Sequence, residues 1–219
     1  MIYRDSEAMS EFWEERFREE GRIWGDIPSR TAGYAIDLFL RAGVRSVLVP
    51  GSGYGRNAEA FARAGFEVTG IELSATAVSL ARKTCPAIRY HHGSVLEMPF
   101  DDTIYDGIYC FNVLHLFRKA DRAIFLERCR DQLRAGGVVF FAVFSDQEPS
   151  YGRGRQVEEN TFESRPGREV HYYTEADLAA EFPGMEILEI GIMEDPEEHG
   201  DEGKHTHILR YIFSRNVPG

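Results

Sequence analysis

Residues 46–57, SVLVPGSGYGRN, set three glycines, Gly51, Gly53 and Gly55, directly behind an apolar β-branched run. A main chain bared of side chains can turn tightly and lie against a ligand, and the helix expected next offers unpaired N–H donors in its first turn. Glu72 closes a second apolar run, nineteen residues after Gly53. A carboxylate at that remove from a glycine loop is placed to accept hydrogen bonds from ribose hydroxyls. Loop and acid together predict a site for a nucleoside-containing cofactor. The dinucleotide fingerprint places its third glycine where this chain has Arg56, so Gly-x-Gly-x-Gly fits a dehydrogenase only in part. The plain alternative for such a loop is punctuation between a strand and a helix.

Other side chains with chemical potential are more scattered. His115, in VLHLF, stands at a strand end where an imidazole can act as a base, although a histidine there more often caps a helix or fills a satisfied half-buried position. His91 and His92 read as surface residues. His199, His205 and His207 lie among acids and invite a metal reading, but their spacing leaves the third ligand undefined, and the expectation is no metal site. Tyr151, Arg153, Arg155, His171 and Tyr172 flank a long polar connection and are candidates for acceptor recognition, Tyr151, His171 and Tyr172 foremost.

The elements that must position these residues follow from periodicity. Residues 6–20 and 31–42 carry apolar side chains at helical spacing, with Gly21 and Gly43 as stops. Behind the glycine loop, helical and strand patterns alternate. Helix 57–64 precedes strand 67–71, helix 74–83 and strand 88–92; strand 105–111 leads to helix 119–133 and strand 137–144. Such alternation predicts one α/β domain over 1–219, a doubly wound, mostly parallel sheet with helices on both faces and the ligand beyond the carboxyl ends of its strands. Phe39, Phe61 and Phe66 are assigned to its core. Residues 145–173 show no sustained period and are expected to be a lid over the site. Thr174 is a helix N-cap for 175–182, and 186–193 and 207–213 read as two strands joined by the acidic run EDPEEHGDE.

Composition limits the function. A net charge of −11, with Lys and Arg scattered, argues against a surface built to hold nucleic acid. Cys85, Cys110 and Cys129 are odd in number and lie in or beside apolar segments, as reduced thiols of a cytoplasmic protein would. No stretch approaches the roughly 20 apolar residues of a membrane span, so no membrane partner is expected. Oligomeric state is not legible.

In order and spacing, VLVPGSGYG, the acid of GIELS, HHGSVLEMPFDD, YDGIYCFNVLHLF and LRAGGVVFFAVFS resemble the motif series of class I S-adenosylmethionine-dependent methyltransferases. The resemblance runs from Trp13 to Arg215. It implies a seven-stranded sheet with an antiparallel last strand and S-adenosylmethionine as cofactor. Gly51, Ser52, Gly53 and Gly55 would wrap its methionine part and ribose, Glu72 would accept both ribose hydroxyls, and Leu73 would flank the adenine. Ser94 stands where the family commonly has Asp, which leaves more of the adenine contact to the backbone of Val95. Phe111 and Asn112 would hold the amino group and face the methyl.

V-P-G-S-G, with FWEERFREEGRIW before it and GDEGKHTHILRYIFSR near the end, is similar to the branch of thiopurine, thiol and tellurite-resistance methyltransferases. There the N-terminal segment folds over the cofactor, which makes 1–43 a cover and Trp13 and Trp24 contact candidates. The function implied is methyl transfer to a small-molecule acceptor. A soft, ionised acceptor atom needs no general base, and the catalytic residues are left open. The alternatives are a nicotinamide-dependent oxidoreductase and an S-adenosylmethionine-binding module without turnover.

Overall fold

The computed structural model describes residues 4–165, 167–198 and 203–217. Two helices, α1 (Arg4–Glu20) and α2 (Arg30–Arg41), precede β1 (Ser46–Pro50). The chain then alternates through α3 (Arg56–Arg63), β2 (Glu67–Glu72), α4 (Ala75–Thr84), β3 (Arg89–His92), β4 (Tyr105–Phe111), α5 (Lys119–Asp131) and β5 (Leu133–Phe144). It continues as β6 (Arg155–Glu158), β7 (Thr161–Arg165), β8 (Arg168–His171), α6 (Glu175–Ala180), β9 (Met185–Glu198) and β10 (Lys204–Asn216). The main sheet has seven strands in the order β3-β2-β1-β4-β5-β10-β9, and β10 runs antiparallel to both its neighbours. Strand order reverses between β1 and β4, which opens the ligand crevice at their carboxyl ends.

Side-chain alternation builds the two cores. Val47 and Val49 of β1 and Val138, Phe140 and Ala142 of β5 pack with Ala35 and Phe39 of α2 and Phe61 of α3. Leu48, Val139, Phe141 and Val143 point to the opposite face and pack with Phe125 of α5 and with Leu178 of α6. Phe39, Phe61 and Phe66 are buried as expected, and Cys85, Cys110 and Cys129 are free thiols. No helix of the described residues is long and apolar enough to cross a membrane.

Three segments differ from the sequence reading. The helix expected over 119–133 stops at Asp131, and the following strand starts at Leu133 rather than at 137, because Gly136, at φ 73°, lets β5 absorb a register shift against β4. The connection 145–173 is not irregular: β6, β7 and β8 form an antiparallel three-stranded sheet. A two-residue turn through Glu159 and Asn160, the latter at φ 54°, closes the first hairpin; asparagine is among the few side chains that accept this conformation readily. The last two strands are also longer than expected, so Glu194–Glu198 of the acidic run belongs to β9. An edge strand tolerates such a segment, with Pro196 in it, because one side of its backbone needs no ladder partner.

Candidate functional site

Gly51, Gly53 and Gly55 hold φ angles of 65°, 55° and 90°, the left-handed region open to glycine. A Cβ on Gly51 would also lie 2.2 Å from Cγ2 of Val113. At the end of β2, Glu72 is 6% exposed and fixes the loop: Oε2 accepts from the Gly53 N–H at 2.8 Å and Oε1 from the Ser74 N–H at 2.8 Å. Each oxygen keeps further lone-pair capacity for a ligand hydroxyl. Burial pushes the Glu72 carboxyl upward, against the pull of the hydrogen bonds from Ser74 and Gly53. Ser52 Oγ and Asn112 Oδ1 are buried without a hydrogen-bond partner among the described residues. Asn112, at φ 55° beyond β4, is held there by its N–H to the Ala142 carbonyl at 2.9 Å. Orphaned polar atoms beside a left-handed loop mark a ligand surface.

Gly51, Ser52, Gly53, Glu72, Asn112 and Val113 line a cleft of about 1190 Å³, whereas Gly55, expected with them, lies off it, where a Cβ would meet Tyr90 Oη at 2.6 Å. Leu73, Ser94, Val95 and Phe111 face the same cleft, and Ser94 Oγ additionally caps the short turn 95–97 by accepting the Leu96 N–H at 3.2 Å. One wall comes from the N-terminal segment. Trp13 and Trp24 line the cleft and pack with Phe17 and Tyr54, Trp24 lying 6.0 Å from the Tyr54 ring in a stack. Glu14 latches this wall to α4: its carboxylate accepts from Ser74 Oγ at 2.6 Å, Thr76 Oγ1 at 2.6 Å and the Thr76 N–H at 3.1 Å. Those bonds, Ser74 first, bring the Glu14 carboxyl down to about 2.

The opposite wall is formed by the end of β5, the small sheet and the β9–β10 hairpin. His115 is 3% exposed, stacks on Phe144 and accepts the Phe144 N–H at Nδ1 over 3.3 Å. Burial drives its imidazole down to about 3. A neutral ring whose Nδ1 accepts carries its proton on Nε2, so His115 reaches the cleft as a donor and not as a base. Tyr172 lines the cleft, but Tyr151 and His171 do not. Tyr151 packs against Phe162 and Tyr172, while His171 is buried against Thr161 Oγ1 at 2.8 Å. They belong to the packing of the small sheet, where burial brings His171 down to about 4. His91 pairs with Asp101, and His92 meets the Leu73 carbonyl at 3.0 Å. His199 lies outside the described residues.

Several residues of the cleft carried no sequence signal of their own. Arg56, 8% exposed, ion-pairs with Glu197 and lies 5.7 and 5.6 Å from the Trp24 and Phe111 rings. Its failure to be the third glycine was the available hint. Glu148 is buried beside the hairpin, accepting from the Ile208 N–H at 2.6 Å and facing His207 Nδ1 at 3.0 Å. Burial disfavours a charge on His207, but the bond to Glu148 and the nearby acids outweigh it and raise the imidazole.

Residues 47–137 match the family described as a methyltransferase domain. A probable S-adenosylmethionine-dependent methyltransferase of Mycolicibacterium smegmatis is 32% identical over 159 residues, which is 72% of this chain and 54% of that protein. The chain thus spans about half the length of this curated relative. A structure solved for the conversion of a disulfide bond into a thioacetal group during echinomycin biosynthesis superposes with a TM-score of 0.75 at 19% identity, covering 95% of this chain and 92% of the other. TehB from Haemophilus influenzae superposes with a TM-score of 0.66 at 15% identity, covering 93% of this chain and 67% of that one. At those identities the two structures speak for the fold alone. Matched domain, strand order and the glycine loop tied to a strand-end acid identify residues 47–137 as a methyltransferase domain in a chain with the class I methyltransferase fold.

Proposed function

We propose that the chain transfers the methyl group of S-adenosylmethionine to a small-molecule acceptor. The observation that carries this reading is the Glu72 carboxylate, pinned by the Gly53 and Ser74 N–H groups with lone pairs left over at the rim of a cleft. The residues fit the cofactor: Glu72 suits a ribose diol, the orphaned Ser52 Oγ and Asn112 Oδ1 suit its polar groups, and Leu73 and Val95 flank an apolar slot for the base. When bound, S-adenosylmethionine supplies a sulfonium methyl carbon that is electrophilic without further activation. The work left to the protein is orientation and exclusion of water. Trp13 and Trp24 close one side of the cleft, Tyr172 and Phe144 the other, and Gly51 to Gly53 with Phe111 and Asn112 hold the reacting end between them.

A cleft of about 1190 Å³, walled on both sides, suits cofactor plus small acceptor. Within that class we infer a likeness to the thiopurine, thiol and tellurite-resistance branch, supported by the N-terminal tryptophans that wall the cleft. Residues 145–173 serve as the acceptor-side wall. Calorimetry with S-adenosylmethionine and S-adenosylhomocysteine, followed by a panel of thiol, tellurite, halide and amine acceptors, tests the proposal. Micromolar binding of both and methylation of a small acceptor is the expected result. Binding of neither at millimolar concentration, or binding of NADH in their place, would overturn it.

A further inference from the structure

Away from the glycine loop, the β9–β10 hairpin assembles a second constellation on the cleft wall. The register sets His205 opposite Glu197 and His207 opposite Asp195, so all four side chains leave one face of the hairpin. One oxygen or nitrogen from each of Glu197, His205 and His207 lies within 4.8 Å of the other two. The Nε2 atoms of His205 and His207 are 3.2 Å apart, and Glu197 Oε2 lies 3.8 Å from His207 Nε2.

The outer bonds fix which nitrogen carries the lone pair. His205 Nδ1 meets the Gly203 carbonyl at 2.9 Å, and a carbonyl only accepts, so the proton is on Nδ1. His207 Nδ1 likewise donates to Glu148 Oε1 at 3.0 Å, and Glu148 is itself held by the Ile208 N–H. With the outer nitrogens so engaged, each Nε2 is the atom turned toward the other ring and toward Glu197 Oε2, an arrangement that a shared cation suits. A carbonyl or carboxylate behind each ligating histidine is the usual support of a metal-binding imidazole. Glu148, Asp195 and Glu197 are buried around the cluster, with Arg56 paired to Glu197, and an acidic surround of this kind favours a cation.

We propose that Glu197, His205 and His207 bind a divalent transition metal of the zinc class, with Glu148 positioning His207. Two imidazoles and one carboxylate are a ligand set of catalytic zinc and related ions, and such a set keeps a coordination position open. The three ligands line the same cleft as Phe111, so that position faces the acceptor side. If the chain is the methyltransferase proposed above, the metal selects an acceptor bearing an ionisable hydroxyl or thiol. Such a group binds as its anion, with its proton released to solvent, and keeps an electron pair for the bond to the methyl carbon. Metal binding itself does not depend on that reading.

The test is titration of the chelator-stripped full chain with Co2+, followed by its ligand-field absorption, and with Zn2+ by calorimetry. Expected is one ion per chain with the intense bands of a low-coordinate nitrogen–oxygen site. Affinity should fall at least about a hundredfold in His205→Gln and Glu197→Gln, and roughly 10–100-fold in Glu148→Gln, which touches only the outer nitrogen of His207. Binding of S-adenosylhomocysteine, measured on the same variants, reports that the fold and the cofactor site persist. Failure of the stripped chain to bind either ion overturns the proposal. Binding that survives both His205→Gln and His207→Gln means an adventitious ion only and overturns it as well. So does an imidazolium pair that keeps its shared proton, by nitrogen NMR, in excess Zn2+.

Discussion

At the scale of single residues, Glu72 and His115 show how burial assigns roles. Glu72 spends part of each oxygen on the main chain and has the remainder for a ligand, so Glu72→Ala removes a charge-assisted acceptor. The expected cost is about 1.5–3 kcal/mol of S-adenosylhomocysteine affinity, roughly ten- to a hundredfold by calorimetry. Unchanged affinity would detach the carboxylate from the cofactor. His115 makes a different prediction. Its pKa falls from 6.5 to about 3 on folding, so below 6.5 the unfolded chain binds the extra proton and the folded one does not. Stability on this account is complete above 6.5 and is lost progressively as pH falls toward 3. His115→Gln keeps an acceptor for the Phe144 N–H but does not titrate, and its melting temperature is expected to fall less steeply than that of the parent between pH 6.5 and 4.5. Parallel pH profiles of the two proteins would show that His115 is not the group responsible.

At the scale of elements, α1 is attached to the sheet chiefly through aromatic packing and the Glu14 latch at the start of α4. A carboxylate at a helix N-terminus also meets the positive end of the macrodipole. Because its folded pKa is about 2 against 4.5 unfolded, the latch is fully present above 4.5 and is released as pH falls toward 2. Glu14→Ala is expected to cost about 1 kcal/mol, the size of a lost helix cap. It should also weaken cofactor binding and shift Trp13 and Trp24 fluorescence to the red at neutral pH. An unshifted spectrum would mean that aromatic packing alone holds the cover. The legibility of elements divides along the same line of local against distant contact. β4 has the bounds its apolar pattern implies, and the glycine loop with Glu72 is a local spacing, so the parallel half and the cofactor side can be read from the chain. β6, β7 and β8 have four or five residues each, with only Val157, Phe162 and Val170 to signal an apolar face among charges. The acceptor wall joins Glu148 to His207 and Arg56 to Glu197, pairs 59 and 141 residues apart, which only the tertiary register brings together.

At the scale of the whole molecule, the cleft has two walls, bridged by Arg56, which lies against Trp24 and pairs with Glu197, and they are fixed to the sheet by different means. α1 closes the glycine-loop side from outside the sheet, whereas the insertion carrying β6–β8 is tied at both its ends to one side chain of β10. Arg210 is 5% exposed; its Nε donates to the Tyr173 carbonyl at 3.0 Å and its Nη2 to Asp146 Oδ1 at 2.8 Å. Asp146 enters the insertion and Tyr173 leaves it, and the two ends also meet directly through the Asp146 N–H on the Tyr173 carbonyl at 3.0 Å. Removing one partner of a buried pair strands the other, at a cost of about 3–5 kcal/mol. Asp146 is about a third exposed, with 32% of its side chain reached by solvent, so water recovers part of that loss and the lower end applies. Arg210→Met, which preserves the aliphatic stem, is therefore expected to lower stability by about 3 kcal/mol in denaturant titration. It should speed proteolytic cleavage within 146–173 and leave S-adenosylhomocysteine affinity within twofold of the parent, because the side-chain hydrogen-bond partners of the arginine among the described residues, Tyr173 and Asp146, belong to the insertion. Cleavage at the parent's rate would show that the wall stands without this tie. A parallel collapse of cofactor affinity would show instead that the two walls form one cooperative unit.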